Sequence, residues 1–368
     1  MEVKISKNYF TNIKNFAIAV SGGLDSMALA FLVKKQFPKL KFTALIVDHK
    51  FRRESTKEAN EVKKYLEKND VNAVVLTPLT INHQPSTISE ESLRNLRYNL
   101  ITKYCKENNI KNVFLAHHKD DNVETFLMRL ERGSGLQGLS AIKEKSSING
   151  INFIRPLLNY SKNDLKNFLI ENKIKWFEDS SNQNQKFTRN KIRTALQDIS
   201  DYDLLSNRIN SVIENISRAN DFIEIETENF FKKLCKNIFD NIYEISLNDF
   251  INLHSEIAFR IIKKILLEIS QNIRKTKENI IENNELRFDS IKNIYLKICI
   301  KKNFSMTYNF CEIMLENDKI YFFPELSKIS SFTPIGKKNL DEFKKKNPKL
   351  KNIHYKLLRT LDNNYFNK

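Results

Sequence analysis

Glycine is scarce, with 7 among 368 residues. A chain this poor in glycine keeps it where no other residue fits, because only glycine enters left-handed backbone or very close approaches without penalty. Five of the seven fall in two short segments, Gly22 and Gly23 in one, and Gly133, Gly135 and Gly138 in the other. Cysteine is rarer still. Cys105, Cys235, Cys299 and Cys311 are scattered and form no C-x-x-C pair, so no zinc or iron–sulfur motif is present. A disulfide framework is not expected at this length, which suits a reducing cytoplasm. No run of about 18 apolar residues occurs, and no membrane span is expected. Met1-Glu2-Val3-Lys4 opens no apolar signal region. A Walker A loop, G-x-x-x-x-G-K-[ST], is absent, and so is any internal repeat.

Positive charge is abundant. Lys and Arg number 61 against 44 Asp and Glu, a net charge of +17. That excess points to a polyanionic partner such as RNA, although lysine-rich composition beside many Asn, Ile and Phe residues gives the same balance. With 41% hydrophobic residues a packed core is feasible. The length implies two or three units.

Residues 15–21 (NFAIAVS), 41–49 (KFTALIVDH), 71–78 (VNAVVLTP), 111–117 (KNVFLAH) and 153–158 (FIRPLL) are short, continuous apolar runs. They read as strands of a parallel sheet covered on both faces. Amphipathic stretches over 26–37, 55–69, 90–108 and 120–132, and one from Ser161, alternate with them. The pattern predicts an α/β fold, doubly wound around a mainly parallel five-stranded, Rossmann-like sheet. Residues 196–285 show no strand runs and read as helical; the remainder is mixed, with a strand over 319–323 and a solvated lysine-rich stretch over 338–351.

Ser21-Gly22-Gly23-Leu24-Asp25-Ser26 follows the first strand and opens the first helix. Backbone N–H groups at such a turn bind phosphate. Asp25 would repel a bare anion, which points to a bridging Mg²⁺. A second constellation, LAHHKDDNVETFLMRL followed by ERGSGLQGL, begins at Leu115. His117 and His118 end the fourth strand, and Asp121 and Glu124 share one face of the next helix, at the edge where open sheets bind ligands. Asp120 is read as a helix cap, and His118 equally as a structural or a functional histidine.

The first hexapeptide resembles the S-G-G-x-D-S loop of PP-loop ATP pyrophosphatases, which cleave ATP to AMP and pyrophosphate. A-H-H-x-D-D-N-x-E-T with R-G-x-G-x-x-G-L resembles the signature of the tRNA(Ile)-lysidine synthases. Val47-Asp48-His49 with Arg52, Glu54 and Ser55, the Arg94-x-x-Arg97-Tyr98 helix, Arg155-Pro156-Leu157-Leu158, and Trp176 through Asp179, Asn182, Arg189 and Arg193 are similar to further family segments. Lys50 and Phe51 stand where the usual pattern has Gly and Leu, and Leu93 replaces a small residue. The resemblance covers residues 14–195.

It implies ligation of free L-lysine to C2 of the wobble cytidine in a CAU-anticodon tRNA(Ile), with ATP as co-substrate and Mg²⁺ as metal. Ser21, Gly22, Gly23, Leu24, Asp25 and Ser26 would bind ATP, and Asp25 and Asp121 the metal. Asp121, Glu124, His117 and Arg97 would carry the chemistry, and Arg189, Lys191 and Arg193 would contact tRNA. Beyond Arg193 the resemblance carries no residue over, and Lys263, Lys264, Arg274 and Lys275 read from the sequence alone as a continuation of the basic surface or as a solvated helical face. The implied organisation is a PP-loop catalytic domain over 1–195, a helical tRNA-binding domain over 196–285 and a small mixed region over 286–368. No membrane is involved, and a homodimer is compatible with the sequence. The alternatives are a PP-loop tRNA thiolase, which would need catalytic cysteines or a cluster, and a non-catalytic basic RNA-binding protein.

Overall fold

The computed structural model describes residues 2–11, 13, 15–50, 54–78, 90–177, 188–197, 199–239, 241–276 and 286–325. Two compact units divide the chain, Met1–Asn220 and Asp221–Lys368.

The first unit contains β1 (Phe16–Ala19), α1 (Leu24–Gln36), β2 (Phe42–Val47), α2 (Ser55–Lys68), β3 (Asn72–Leu76), α3 (Glu90–Glu107), β4 (Asn112–Phe114), α4 (Lys119–Glu131), α5 (Leu136–Leu139), β5 (Lys145–Ile148), β6 (Ile151–Ile154), α6 (Lys162–Glu171) and α7 (Thr188–Gln197). Helix α8 (Tyr202–Leu234) supplies residues to both units. The sheet order is β3-β2-β1-β4-β6-β5. The first five strands in that order are mutually parallel and correspond to the five read from the sequence, except that the last runs over 151–154 and leaves residues 155–158 of the 153–158 reading outside it. The sixth, β5, pairs antiparallel with β6 at the edge. Its sequence KSSI carries no apolar run, but Asn149 and Gly150, at φ 51° and 81°, form the two-residue turn typical of a hairpin.

Both faces of the sheet are covered. Phe16 and Ile18 of β1 pack with Met27, Leu29 and Leu32 of α1 on one face. Ala17 joins Leu45, Val113 and Phe153 on the other. Residues 26–33 of α1 are all buried, because the helix lies against the sheet on one side and under α6 on the other. Phe16 and Phe114 are fully buried with ring centroids 5.2 Å apart. Truncating either to Ala would cost about 3–5 kcal/mol. The chain steps outward from β1 to β3 and then returns to lay β4 on the other side of β1. That reversal opens a crevice at the carboxyl ends of β1 and β4.

The second unit contains β7 (Lys236–Phe239), β8 (Ile242–Ser246), α9 (Leu247–Ile251), α10 (Ser255–Thr276), α11 (Phe288–Cys299), β9 (Phe304–Tyr308), β10 (Cys311–Glu316) and β11 (Lys319–Pro324). An antiparallel sheet of order β7-β8-β11-β10-β9 packs Ile313, Leu315, Ile320 and Phe322 against Ile261, Ile265 and Ile269 of α10. The strand read at 319–323 is β11. The described residues of 196–285 are mostly helical, but the expectation of no strand there is corrected by the β7–β8 hairpin. Its turn uses Asn241 at φ 68° in place of glycine, so the usual punctuation is missing. The stretch 338–351 lies outside the described residues. No helix among the described residues is long and apolar enough to cross a membrane.

Candidate active site

The turn after β1 is organised by its own hydroxyls. The Ser21 N–H donates to Ser26 Oγ at 3.1 Å, the two Oγ atoms lie 3.2 Å apart, and Ser26 Oγ donates to the Gly23 carbonyl at 3.0 Å. Gly23 is the N-cap of α1 and has no side chain to satisfy the first helical N–H groups. Those donors are left for an anion. Gly22 sits at φ +88°, and a Cβ there would lie 2.4 Å from Val62 Cγ2 on α2.

Across the crevice, His118 ends the run from β4 and caps α4. The Asp120 N–H donates to His118 Nδ1 at 3.2 Å, and the His118 N–H donates to Asp121 Oδ2 at 3.1 Å, a reciprocal capping box. His118 Nε2 lies 3.4 Å from Asp25 Oδ1 and 3.5 Å from Asp121 Oδ2. Burial alone would lower the imidazole pKa, but hydrogen bonding and charge from Asp120, Asp121 and Asp25 outweigh it and raise it to about 10. Whether the ring is the cation or the neutral tautomer whose Nδ1 accepts the cap bond, Nε2 carries a proton facing Asp25 and Asp121.

Asp120, read as a cap, does another job. It accepts from the Lys162 N–H at 2.7 Å and from Tyr202 Oη at 2.7 Å, tying α4 to α6 and α8. Burial disfavours its charge, but His118 and these donors prevail and hold it well below the ordinary carboxylate range. Asn122 accepts from the Ile142 N–H at 2.9 Å. Arg129 Nη1 donates to the carbonyls of Gly138 and Ala141 at 2.6 and 2.8 Å, which folds the glycine segment back onto α4. Gly133 at φ +65° terminates that helix. The second glycine cluster therefore closes a turn.

Asp121 and Glu124 are buried and share a face of α4. Arg193 of α7 reaches them: its Nε lies 2.5 Å from Glu124 Oε1 and its Nη2 3.8 Å from Asp121 Oδ1. Arg193 was assigned to tRNA by its motif; the fold brings it to the acidic residues. Lys191 on the same helix is exposed, and the Arg189 side chain lies outside the described residues. His117 is half-buried beside the cap. Lys264 is half-buried, donating to Glu228 and lying 4.1 Å above the Phe231 ring. Sequence reasoning missed Tyr202, for which no motif gave a signal.

At the end of β2, Asp48 is buried and accepts from the Lys50 N–H at 2.8 Å, Ser55 Oγ at 2.7 Å and Thr56 Oγ1 at 2.6 Å. Burial opposes the charge, but these donors hold the carboxyl below its ordinary value. Lys50 adopts φ 51°, the conformation that the family's usual glycine takes easily. Neighbouring His49 is pushed down to about 4 by burial and by the exposed Arg97 on α3, against the pull of Asp48.

Among the described residues no three or more His, Cys, Asp or Glu side chains are grouped to hold a metal. Mg²⁺ commonly takes one or two carboxylates and completes its shell with water and phosphate oxygens. Asp25 and Asp121 fit that pattern, and buried Asp25 Oδ1 makes no hydrogen bond beyond its 3.4 Å ion pair with His118 Nε2.

Residues 2–199 match the PP-loop domain family. The tRNA(Ile)-lysidine synthase of Wolbachia sp. subsp. Brugia malayi is 36% identical over 324 residues, 86% of this chain and 72% of that protein. Those of Wolbachia pipientis wMel and Orientia tsutsugamushi are 34% and 31% identical, over 86% and 89% of this chain and 72% and 75% of theirs. A PP-loop turn facing a doubly acidic helix start, within relatives matched over most of their length, places the chain in the tRNA(Ile)-lysidine synthase family.

Proposed function

We propose that this protein joins free lysine to C2 of the wobble cytidine of a CAU-anticodon tRNA(Ile), consuming ATP and releasing AMP and pyrophosphate. The observation that carries the reading is the convergence at one crevice of an uncapped glycine turn, suited to phosphate, and a buried Asp121–Glu124 pair, suited to ammonium groups. The cytidine C2 oxygen attacks the α-phosphorus of ATP, the bond to the β-phosphate breaks, and pyrophosphate leaves as its charge is met by the N–H groups at the start of α1. The lysine ε-amine then attacks C2, and AMP departs with the oxygen.

The amine attacks only when neutral, and its free pKa is about 10.4. His117 or a nearby carboxylate accepts the proton. Asp121 and Glu124, both reached by Arg193, receive the substrate's ammonium groups. Asp25 and Asp121 would hold Mg²⁺, which supplies charge neutralisation for the triphosphate. Arg97 offers a guanidinium to phosphate or to the activated base.

Exposed Lys191 and the basic surface bind tRNA through phosphates, so affinity falls steeply with salt. The test is mass spectrometry of nucleosides from tRNA incubated with the protein, ATP and isotopic lysine. Labelled lysidine is the expected product. ATP consumption with sulfur incorporation would favour a thiolase, and intact ATP would favour a non-catalytic RNA-binding protein.

A further inference from the structure

The nucleotide turn is held from behind by a strap of chain that follows α6. The Phe177 N–H donates to the Gly22 carbonyl at 2.9 Å. Two residues earlier, the Lys175 N–H donates to Tyr65 Oη at 2.8 Å, and the Tyr65 ring meets Phe177 edge-on with centroids 6.0 Å apart. Tyr65 belongs to α2 and also packs on Phe31 of α1, 6.1 Å between centroids.

A trans peptide is planar, with its carbonyl and N–H pointing in opposite directions. The peptide pinned here joins Gly22 to Gly23. With glycine on both sides, its rotation meets no Cβ, so either orientation is sterically open. One orientation, the one seen, points the Gly23 N–H into the loop towards Ser21 Oγ, 3.4 Å away. The other presents the Gly22 carbonyl there, and an acceptor facing a triphosphate repels it. A donor placed behind Gly22 selects the first.

We propose that the strap is a latch that fixes the Gly22–Gly23 peptide in its phosphate-accepting orientation, and that Tyr65 is a positioning residue for the phosphates of ATP although it touches none of them. The inference rests on the nucleotide-binding reading of the loop.

Tyr65→Phe removes one hydroxyl and keeps the ring. Calorimetric titration of the full chain should show ATP affinity falling about five- to tenfold, the scale of one hydrogen bond. Adenosine affinity should stay within about twofold, because adenosine has no phosphates to be misread. The KM for ATP should rise in step, while turnover at saturating ATP and the KM for lysine hold. Phe177→Leu, which keeps the backbone donor, should retain ATP binding better than Phe177→Pro, which deletes it. Unchanged ATP affinity in Tyr65→Phe, or equal losses for ATP and adenosine, would overturn the latch. A wild-type protein that binds no ATP overturns the nucleotide reading itself, and the latch with it.

Discussion

Arg193 Nε lies 2.5 Å from Glu124 Oε1, although 69 positions of sequence separate them. An arginine from a basic stretch thus meets the buried acids of α4. A buried carboxylate that loses its cation is costly to keep charged.

Arg193→Ala is expected to lower lysidine formation at least about tenfold while leaving the salt dependence of tRNA binding unaltered. Exposed Lys191→Ala should do the reverse, reducing the slope of log affinity against log salt by about one while sparing turnover. A loss of slope in the Arg193 variant with intact turnover would assign that residue to a tRNA phosphate instead.

Asp121→Ala and Arg97→Ala should each depress ATP–pyrophosphate exchange, measured with tRNA and lysine present, by at least about tenfold. Full exchange in both variants would contradict their assigned roles.

Gly22→Ala should destabilise the first unit. The new methyl meets Val62 Cγ2 and the backbone is left-handed, a combined cost of about 2–4 kcal/mol. Thermal unfolding measures it. Adding Val62→Ala should restore only the steric part, since φ +88° stays strained for alanine; full rescue would show that the backbone conformation carries no penalty.

Asp48 gives the fold an acid-sensitive clasp. Its folded pKa lies below the unfolded value of about 3.9. The stability it contributes is therefore complete above that unfolded value and is lost as pH falls through the lower folded one. Asp48→Asn should cost about 1–3 kcal/mol at neutral pH, and the gap to wild type should narrow in acid. Denaturant titrations at neutral and acidic pH check both, and a gap independent of pH would remove the charge from the explanation.

The parallel strands were legible because each is buried on two faces and reads as an unbroken apolar run. The edge strand β5 and the β7–β8 hairpin were not, since short half-exposed strands carry little apolar signal. Turns were obscured for a related reason. Asn241, Asn309, Asn317 and Asp318 take left-handed conformations that glycine usually marks. The site was legible where local motifs set it, in the serine–glycine turn and on α4. Arg193 and Tyr202 reach the site through tertiary packing. For Arg193 the motif reported a basic residue without its direction. The glycines divided as well: Gly22 serves the nucleotide turn, while Gly133 stops a helix.

The antiparallel edge has a bearing on solubility. Without β5, the apolar strand β6 would end the sheet with a row of open amides and carbonyls, ready to recruit a strand from another molecule. Four residues reading Lys-Ser-Ser-Ile cover that row and present a short, charged rim in its place. Such a rim discourages ordered aggregation, so a protein made to excess should be guarded on that flank by its least conspicuous strand.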